Sequence, residues 1–221
     1  MTTSSSCKDS TGSSCSFPSR RTRAVLGARS ASARTAALLS GQVDWIEAPS
    51  PDAVPQLRSR QMQIASNPQP HVWPWQPCFL PSSPLSDVRV RRAVNLAIDR
   101  EGLRTLLGGM MQPAIGTYTP THPWWGNPDF NIRTDKAEAR RLLAAAGYGP
   151  QRPLTLRVQI SASGSGQMQP LSMNEFLQQD LRSVGINVEF DVIEWNALFT
   201  NWRNGCGHAS ARGAHAINVS F

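Results

Sequence analysis

Three places in this chain bring together residue types that could do chemistry. The segment SASGSGQMQP, residues 161–170, lies between an alternating apolar run and a helix-opening proline, where phosphate-binding loops sit. Backbone amides around Gly164 and Gly166, with Ser163 or Ser165, could cradle an anion there and make the chain a nucleotide-using α/β enzyme. The segment lacks both G-x-G-x-x-G and the G-K-[ST] that supplies a lysine and a metal-binding hydroxyl, so spacing favours an ordinary crossover loop. Cys206, His208 and His215 are the nearest approach to a metal cluster, but no fourth ligand follows at zinc-like spacing and no metal is expected. His71 and His122 each lie beside prolines and tryptophans, which predicts rings packed against Trp73 or Trp124 rather than general bases. There is no G-x-S-x-G elbow, no H-E-x-x-H and no carboxylate pair forced together, so neither a catalytic residue nor a cofactor is expected.

The elements that would position these residues are readable from periodicity. Ala37, Leu38 and Leu39 predict a short helix stopped at Gly41, followed by a strand over 43–46; Asp52 is placed to cap a turn of helix through Leu57, and residues 62–66 read as another strand. Six prolines between Asn67 and Pro84 deprive the chain of amide donors and predict a connector rather than a central strand. Beyond it Ser86 is placed as an N-cap, and Val90, Ala93, Val94, Ala97 and Ile98 form one helical face. Arg89, Arg92 and Arg100 point elsewhere, and Asp99 can cap a second helix ending at Gly108 and Gly109. Residues 118–130 form a Pro/Gly/aromatic loop without period. Asp135 and Glu138 then make a capping box for a helix carrying Ala139, Leu142, Leu143 and Ala146 and closed by Gly147. Leu154, Leu156, Val158 and Ile160 alternate with polar residues, Met173, Leu177, Leu181 and Val184 form a helical stripe, and Ile186, Val188, Phe190 and Val192 alternate again. Strand, helix, strand at this spacing implies a parallel pair joined by a right-handed crossover.

Composition narrows the partners. The 221 residues carry a net charge of +7, yet Lys8, Arg20, Arg21, Arg23, Arg29 and Arg34 stand against Asp9 alone in the first forty, leaving little excess in the rest. The basic residues are not gathered with aromatics or in a groove-entering motif, so no nucleic-acid partner is expected. Residues 1–33 are Ser/Thr-rich with little to bury and read as a disordered leader unrelated to the fold. The arginines before Ala24 suggest an export signal, but the apolar run to Ala28 falls short of the roughly 7–15 residues such a signal needs. Cys7, Cys15, Cys78 and Cys206 form no C-x-x-C pair, and a disulfide framework is not expected in a chain this sparse in cysteine. No run approaches the roughly 18 apolar residues that cross a bilayer.

Five segments in order, ALLSGQVDWIEAPSPDAVPQL (37–57), SPLSDVRVRRAVNLAIDREGL (83–103), RTDKAEARRLLAAAGYG (133–149), PLTLRVQISASGSGQ (153–167) and LQQDLRSVGINVEFDVIEWNA (177–197), resemble the dipeptide, oligopeptide and nickel class of solute-binding proteins of ABC importers, family 5. The resemblance spans Arg34 to Phe221 and implies an α/β, periplasmic-binding-protein-like two-lobed fold of class II type, present only as a fragment. By it, residues 34–83 correspond to a remnant of lobe I and the interlobe crossing, and 84–221 to the first part of lobe II, truncated at the C-terminus. The implied function is capture of peptides or a similar solute for an ABC importer permease, in the periplasm or membrane-associated on the extracytoplasmic side, by closure of two lobes over the ligand. Trp75 and Gln76 at the crossing and Trp124 and Trp125 in the aromatic loop are the implied ligand contacts, their rings offering flat apolar surface. The acidic residue that pairs with a peptide's amino terminus in relatives lies later in lobe II, so no residue here inherits that role. Trp195 is expected in the core, and a free-standing interaction module is a third alternative to transport and to nucleotide chemistry.

Overall fold

The computed structural model describes residues 24–25, 30–66, 72–118, 120–164, 166–211 and 213–220. The expected disorder of residues 1–23 and the placement of His71 lie outside them. The chain divides into one unit up to Pro49 and another from Ser50.

In the first unit β1 (Ala24–Val25) pairs in parallel with β2 (Trp45–Ile46), joined through α1 (Ala31–Leu39). Ser30 caps α1 by accepting from the Ala33 N–H at 3.2 Å, so folded structure begins ahead of the Arg34 boundary expected from sequence. Gly41, at φ +71°, ends the helix: its N–H donates to Leu38 O and that of Gln42 to Ala37 O, the paired closure that needs a left-handed residue. The Val43 N–H also turns back to Ala37 O, which is why the expected strand over 43–46 shrinks to its last two residues. Arg34 laces helix to strand, donating to the carbonyls of Glu47 and Ala48, each at 2.9 Å.

The second unit opens with a 3-10 turn, Pro51–Ala53, leading into α2 (Val54–Ser59). Asp52 therefore lies inside the first turn and does not cap it. Residues 62–66 join no strand; the Met62 N–H is spent on Leu57 O, and Ile64 and Ala65, being adjacent, offer no alternation. The proline-rich segment is more than a connector, since its centre forms β3 (Trp75–Pro77). α3 (Val88–Ala97) starts one residue later than expected, capped by Asp87, because Ser86 ends a 3-10 turn and its hydroxyl donates to Leu80 O. Its arginines staple loops: Arg91 donates to Leu85 O and Ser86 O, Arg89 to Ala145 O, and Arg92 meets Asp129. α4 (Arg100–Leu106) has the expected Asp99 cap.

α5 (Lys136–Ala145) keeps half of its capping box. Asp135 accepts from the Glu138 N–H at 2.9 Å, but the Asp135 N–H is taken by Leu96 O, so the Glu138 carboxylate pairs with Arg141 instead. β4 (Leu154–Ser161), α6 (Pro170–Ser183) and β5 (Ile186–Ile193) follow as expected, with the strands parallel along all eight residues. α7 (Trp195–Asn204) then carries the chain to β6 (Ala216–Asn218), a strand too short to announce itself by alternation. The sheet order is β3-β6-β4-β5, with β6 parallel to β4 and β3 antiparallel to β6 at the edge, where a donor-poor strand is tolerated.

The two faces of this sheet are built differently. Leu154, Leu156, Val158 and Ile160 point into the main core with Val90, Ala93 and Leu96 of α3, Ala139 and Leu143 of α5, and Met173 and Leu181 of α6. Thr155, Arg157, Gln159 and Ser161 occupy the alternate positions, on the side where α7 packs. There the buried apolar cluster is small: Cys78, Leu198, Ile217 and Val219. Polar bonds supplement it, Asn201 donating to Gln159 Oε1 and to Ser210 O.

Candidate functional site

Edge strand β3 presents alternate residues to the two faces. Trp75 turns toward the main core: its indole N–H donates to Asn174 Oδ1 at 2.7 Å and its ring meets Phe190 edge to face at 6.0 Å. Asn174 is fully buried and also donates to Pro170 O and to Asn218 Oδ1, while Asn218 donates to Pro74 O. One amide thus ties α6, β6 and the entry to β3 together. Gln76 faces the other way and its Oε1 accepts from the Trp202 indole N–H of α7.

α7 turns Leu198 and Asn201 onto the sheet. Trp195, Phe199 and Trp202, at i, i+4 and i+7, form an aromatic row along the helix with centroid separations of 6.1 and 5.3 Å. Phe199 is 38 % exposed, and the Arg203 guanidinium lies 6.0 Å from its ring centroid. The row was not among the residues expected from sequence, where Trp195 alone was singled out and assigned to the core. Trp195 and Trp202 are half-buried against the smaller cluster, and the spacing in EWNALFTNW was the signal that could have exposed the row.

The glycine loop has a packing purpose. A Cβ on Gly164 would fall under 3.0 Å from the Trp195 ring, and one on Gly166 would lie 2.7 Å from Ser220 Oγ. Gln167, fully buried, accepts from the Trp73 indole at 3.0 Å and donates to Ser220 Oγ. The glycines let a tryptophan and a serine approach the backbone, and nothing in this arrangement supports the nucleotide reading.

Among the described residues no hydrogen bond or ring pair joins Trp124 or Trp125 to β3. Trp124 is 72 % exposed and meets Tyr118 and His122 edge to face, each at 5.6 Å. Tyr118 and His122 stack at 4.5 Å, which places His122 against Trp124 as expected. Trp125 is half-buried against Gly116, where a Cβ would meet its ring at 2.6 Å.

The tail residues disperse. Cys206 is bonded to Cys78, a single disulfide where no disulfide framework was expected; 128 residues separate them in sequence, yet their Cα atoms are 5.6 Å apart because β3 and the exit of α7 meet on one face. His208 shares a hydrogen bond with Ser210, and His215 Nδ1 accepts from the Arg157 N–H at 3.0 Å. Among the described residues no three His, Cys, Asp or Glu converge as metal ligands.

Burial, and secondarily the Arg157 guanidinium, holds the His215 imidazole below its ordinary range. The fold therefore favours neutral His215, and the stability this contributes is present above the ordinary histidine range and lost as pH falls from there through the lowered folded-state range. The urea midpoint is expected to drop between about pH 7 and about pH 5, and His215→Gln to flatten that slope. An unchanged slope in the variant would assign the drop to other groups.

A family model described as bacterial extracellular solute-binding proteins, family 5 Middle, matches residues 25–218. Di/tripeptide-binding protein 2 of Pseudomonas aeruginosa (strain UCBPP-PA14) is 29 % identical over 123 residues, covering 55 % of this chain and 23 % of that protein. Probable di/tripeptide-binding protein 5 of the same strain is 36 % identical over 124 residues with the same coverage. The chain thus spans about a quarter of the length of these curated relatives. Among solved structures, NikA from Staphylococcus aureus in complex with Ni(L-His)2 superposes with a TM-score of 0.67 at 19 % identity, covering 86 % of this chain and 38 % of that one.

Proposed function

We propose, for a chain that belongs to the bacterial extracellular solute-binding proteins of family 5, that it supplies one wall of a solute-binding cleft serving an ABC importer, with peptides or a similar small solute as ligand. The observation that carries this reading is the aromatic row of α7 tied to β3 through Trp202 and Gln76. The rings offer flat apolar surface on which side chains of differing shape can lie, and Gln76 keeps its amide NH2 to donate to a ligand carbonyl. Trp75 contributes by fixing the strand, its own N–H being occupied by Asn174. Trp124 and Trp125 supply a second aromatic contact from the 115–125 loop. The activity is transport rather than catalysis, with the importer's permease as partner.

A periplasmic oligopeptide-binding protein of Escherichia coli (strain K12) is among the relatives, and the Cys78–Cys206 bond supports a periplasmic, oxidising compartment for this chain as well. No helix among the described residues is long and apolar enough to cross a membrane.

A single wall leaves much of a ligand in water, so the cost of immobilising it is only partly offset. Titration with di- to pentapeptides, followed by calorimetry and indole fluorescence, is expected to give dissociation constants of about 1 mM or weaker, with Phe199→Ala removing the fluorescence change. Micromolar binding would show that the chain encloses its ligand by itself. An identical fluorescence response in Phe199→Ala would remove α7 from the site.

A further inference from the structure

We propose that the Cys78–Cys206 disulfide is a redox-sensitive clamp that sets the position of the aromatic row on α7, an inference that rests on the ligand-binding reading above. The two faces of the sheet are the reason. α3, α5 and α6 are held by the large apolar core, whereas α7 lies over a cluster whose fully buried members are Cys78, Leu198, Ile217 and Val219. One of the four is itself a half of the disulfide. Beyond this cluster α7 is retained by the Asn201 bonds to Gln159 and Ser210 and by the Trp202 bond to Gln76.

The bond acts at the end of the helix where the row meets β3. α7 closes at Asn204, Gly205 turns the chain at φ +80°, and Cys206 follows at once. On the other side Cys78 comes directly after Pro77 of β3, and its N–H donates to His215 O at 2.8 Å. Gln76 is two residues from Cys78, and Trp202 is four from Cys206. The covalent link and the Trp202–Gln76 bond are thus parallel tethers between β3 and the end of α7, and opening the first leaves that end to the second.

The chemistry is accessible from one side. Cys78 is 1 % exposed and Cys206 half-buried. A thiolate of an external dithiol attacks the Cys206 sulfur, and Cys78 departs as thiolate and takes up a proton. The second thiol of the reductant then displaces Cys206 as a thiol, leaving two protein thiols and a cyclic oxidised dithiol, with two electrons and two protons transferred.

Hydrogen exchange and peptide titration of the full chain test this, comparing the oxidised protein, the dithiothreitol-reduced protein and a Cys78→Ala/Cys206→Ala variant, all in sucrose to favour the folded state. On reduction, amides of residues 196–204 are expected to exchange at least about tenfold faster, with those of β4 and α6 unchanged. Peptide affinity is expected to weaken at least about fivefold, and reoxidation with glutathione disulfide to restore both. Unchanged exchange in α7 would overturn the clamp, as would loss of protection throughout α6 and β4, since the bond would then hold the whole unit. Exchange that responds while no peptide binds even the oxidised protein would sink the ligand reading and leave the clamp standing.

Discussion

Truncating Leu156 to alanine is expected to lower the stability of the larger unit by about 4 kcal/mol, near the top of the range for a fully enclosed leucine. Leu156 is fully buried at the centre of β4, opposite Val188 of β5, and belongs to the core that α3, α5 and α6 share. Collapse around the vacated volume is resisted because rigid elements converge on it from several directions. The measurement is the urea midpoint at constant slope, with Val192→Ala as reference. Val192 continues the alternation of β5 but is 51 % exposed, and its truncation is expected to cost less than about 0.5 kcal/mol. Comparable losses at the two positions would contradict the assignment of Leu156 to the enclosed core and of Val192 to its exposed margin.

The second large effect is expected from Asn174→Leu, a change of polarity that keeps the number and branching of the side-chain heavy atoms. Leucine would fill the space but leave the Trp75 indole N–H and the Asn218 carbonyl oxygen without their partner. Each orphaned group costs about 1–3 kcal/mol when water cannot replace the lost bond, giving roughly 3–4 kcal/mol together. Indole emission of Trp75 should shift as its hydrogen bond is lost, and the same urea titration gives the energy. A change below about 1 kcal/mol would mean that water reaches the site and that Asn174 does not tie α6 to β6 and β3.

Sequence carried the centre of the fold well and its margins poorly. β4, α6 and β5 were readable because Leu154 to Ile160 alternate without a break, Met173, Leu177 and Leu181 keep the helical period, and Gly185 separates the two. β3 and β6 have three residues each, too few for any period, and the prolines around Trp75 argued correctly against a central strand while concealing an edge one. The cap of α3 moved from Ser86 to Asp87 because a 3-10 turn, invisible in residue spacing, claimed the serine first.

The site divides in the same way. Trp75 and Gln76 were singled out from the crossing segment, but their opposite orientations follow from strand pleating that only the β3–β6 register reveals. Phe199 and Trp202 had a visible spacing whose meaning depended on knowing which side of α7 meets the sheet. Cys78 and Cys206 carry no local mark of their pairing, since a separation of 128 residues is closed by topology alone.

That separation also orders events during synthesis. Trp75 and Gln76 leave the ribosome about 140 residues before Asn218 and Ile217, against which they must align, so the β4–β5 pair and its helix can be complete while the outer strand still waits. A chain interrupted before β6 is therefore expected to expose Trp75 and the unpaired edge of β3, a surface suited to a holding chaperone.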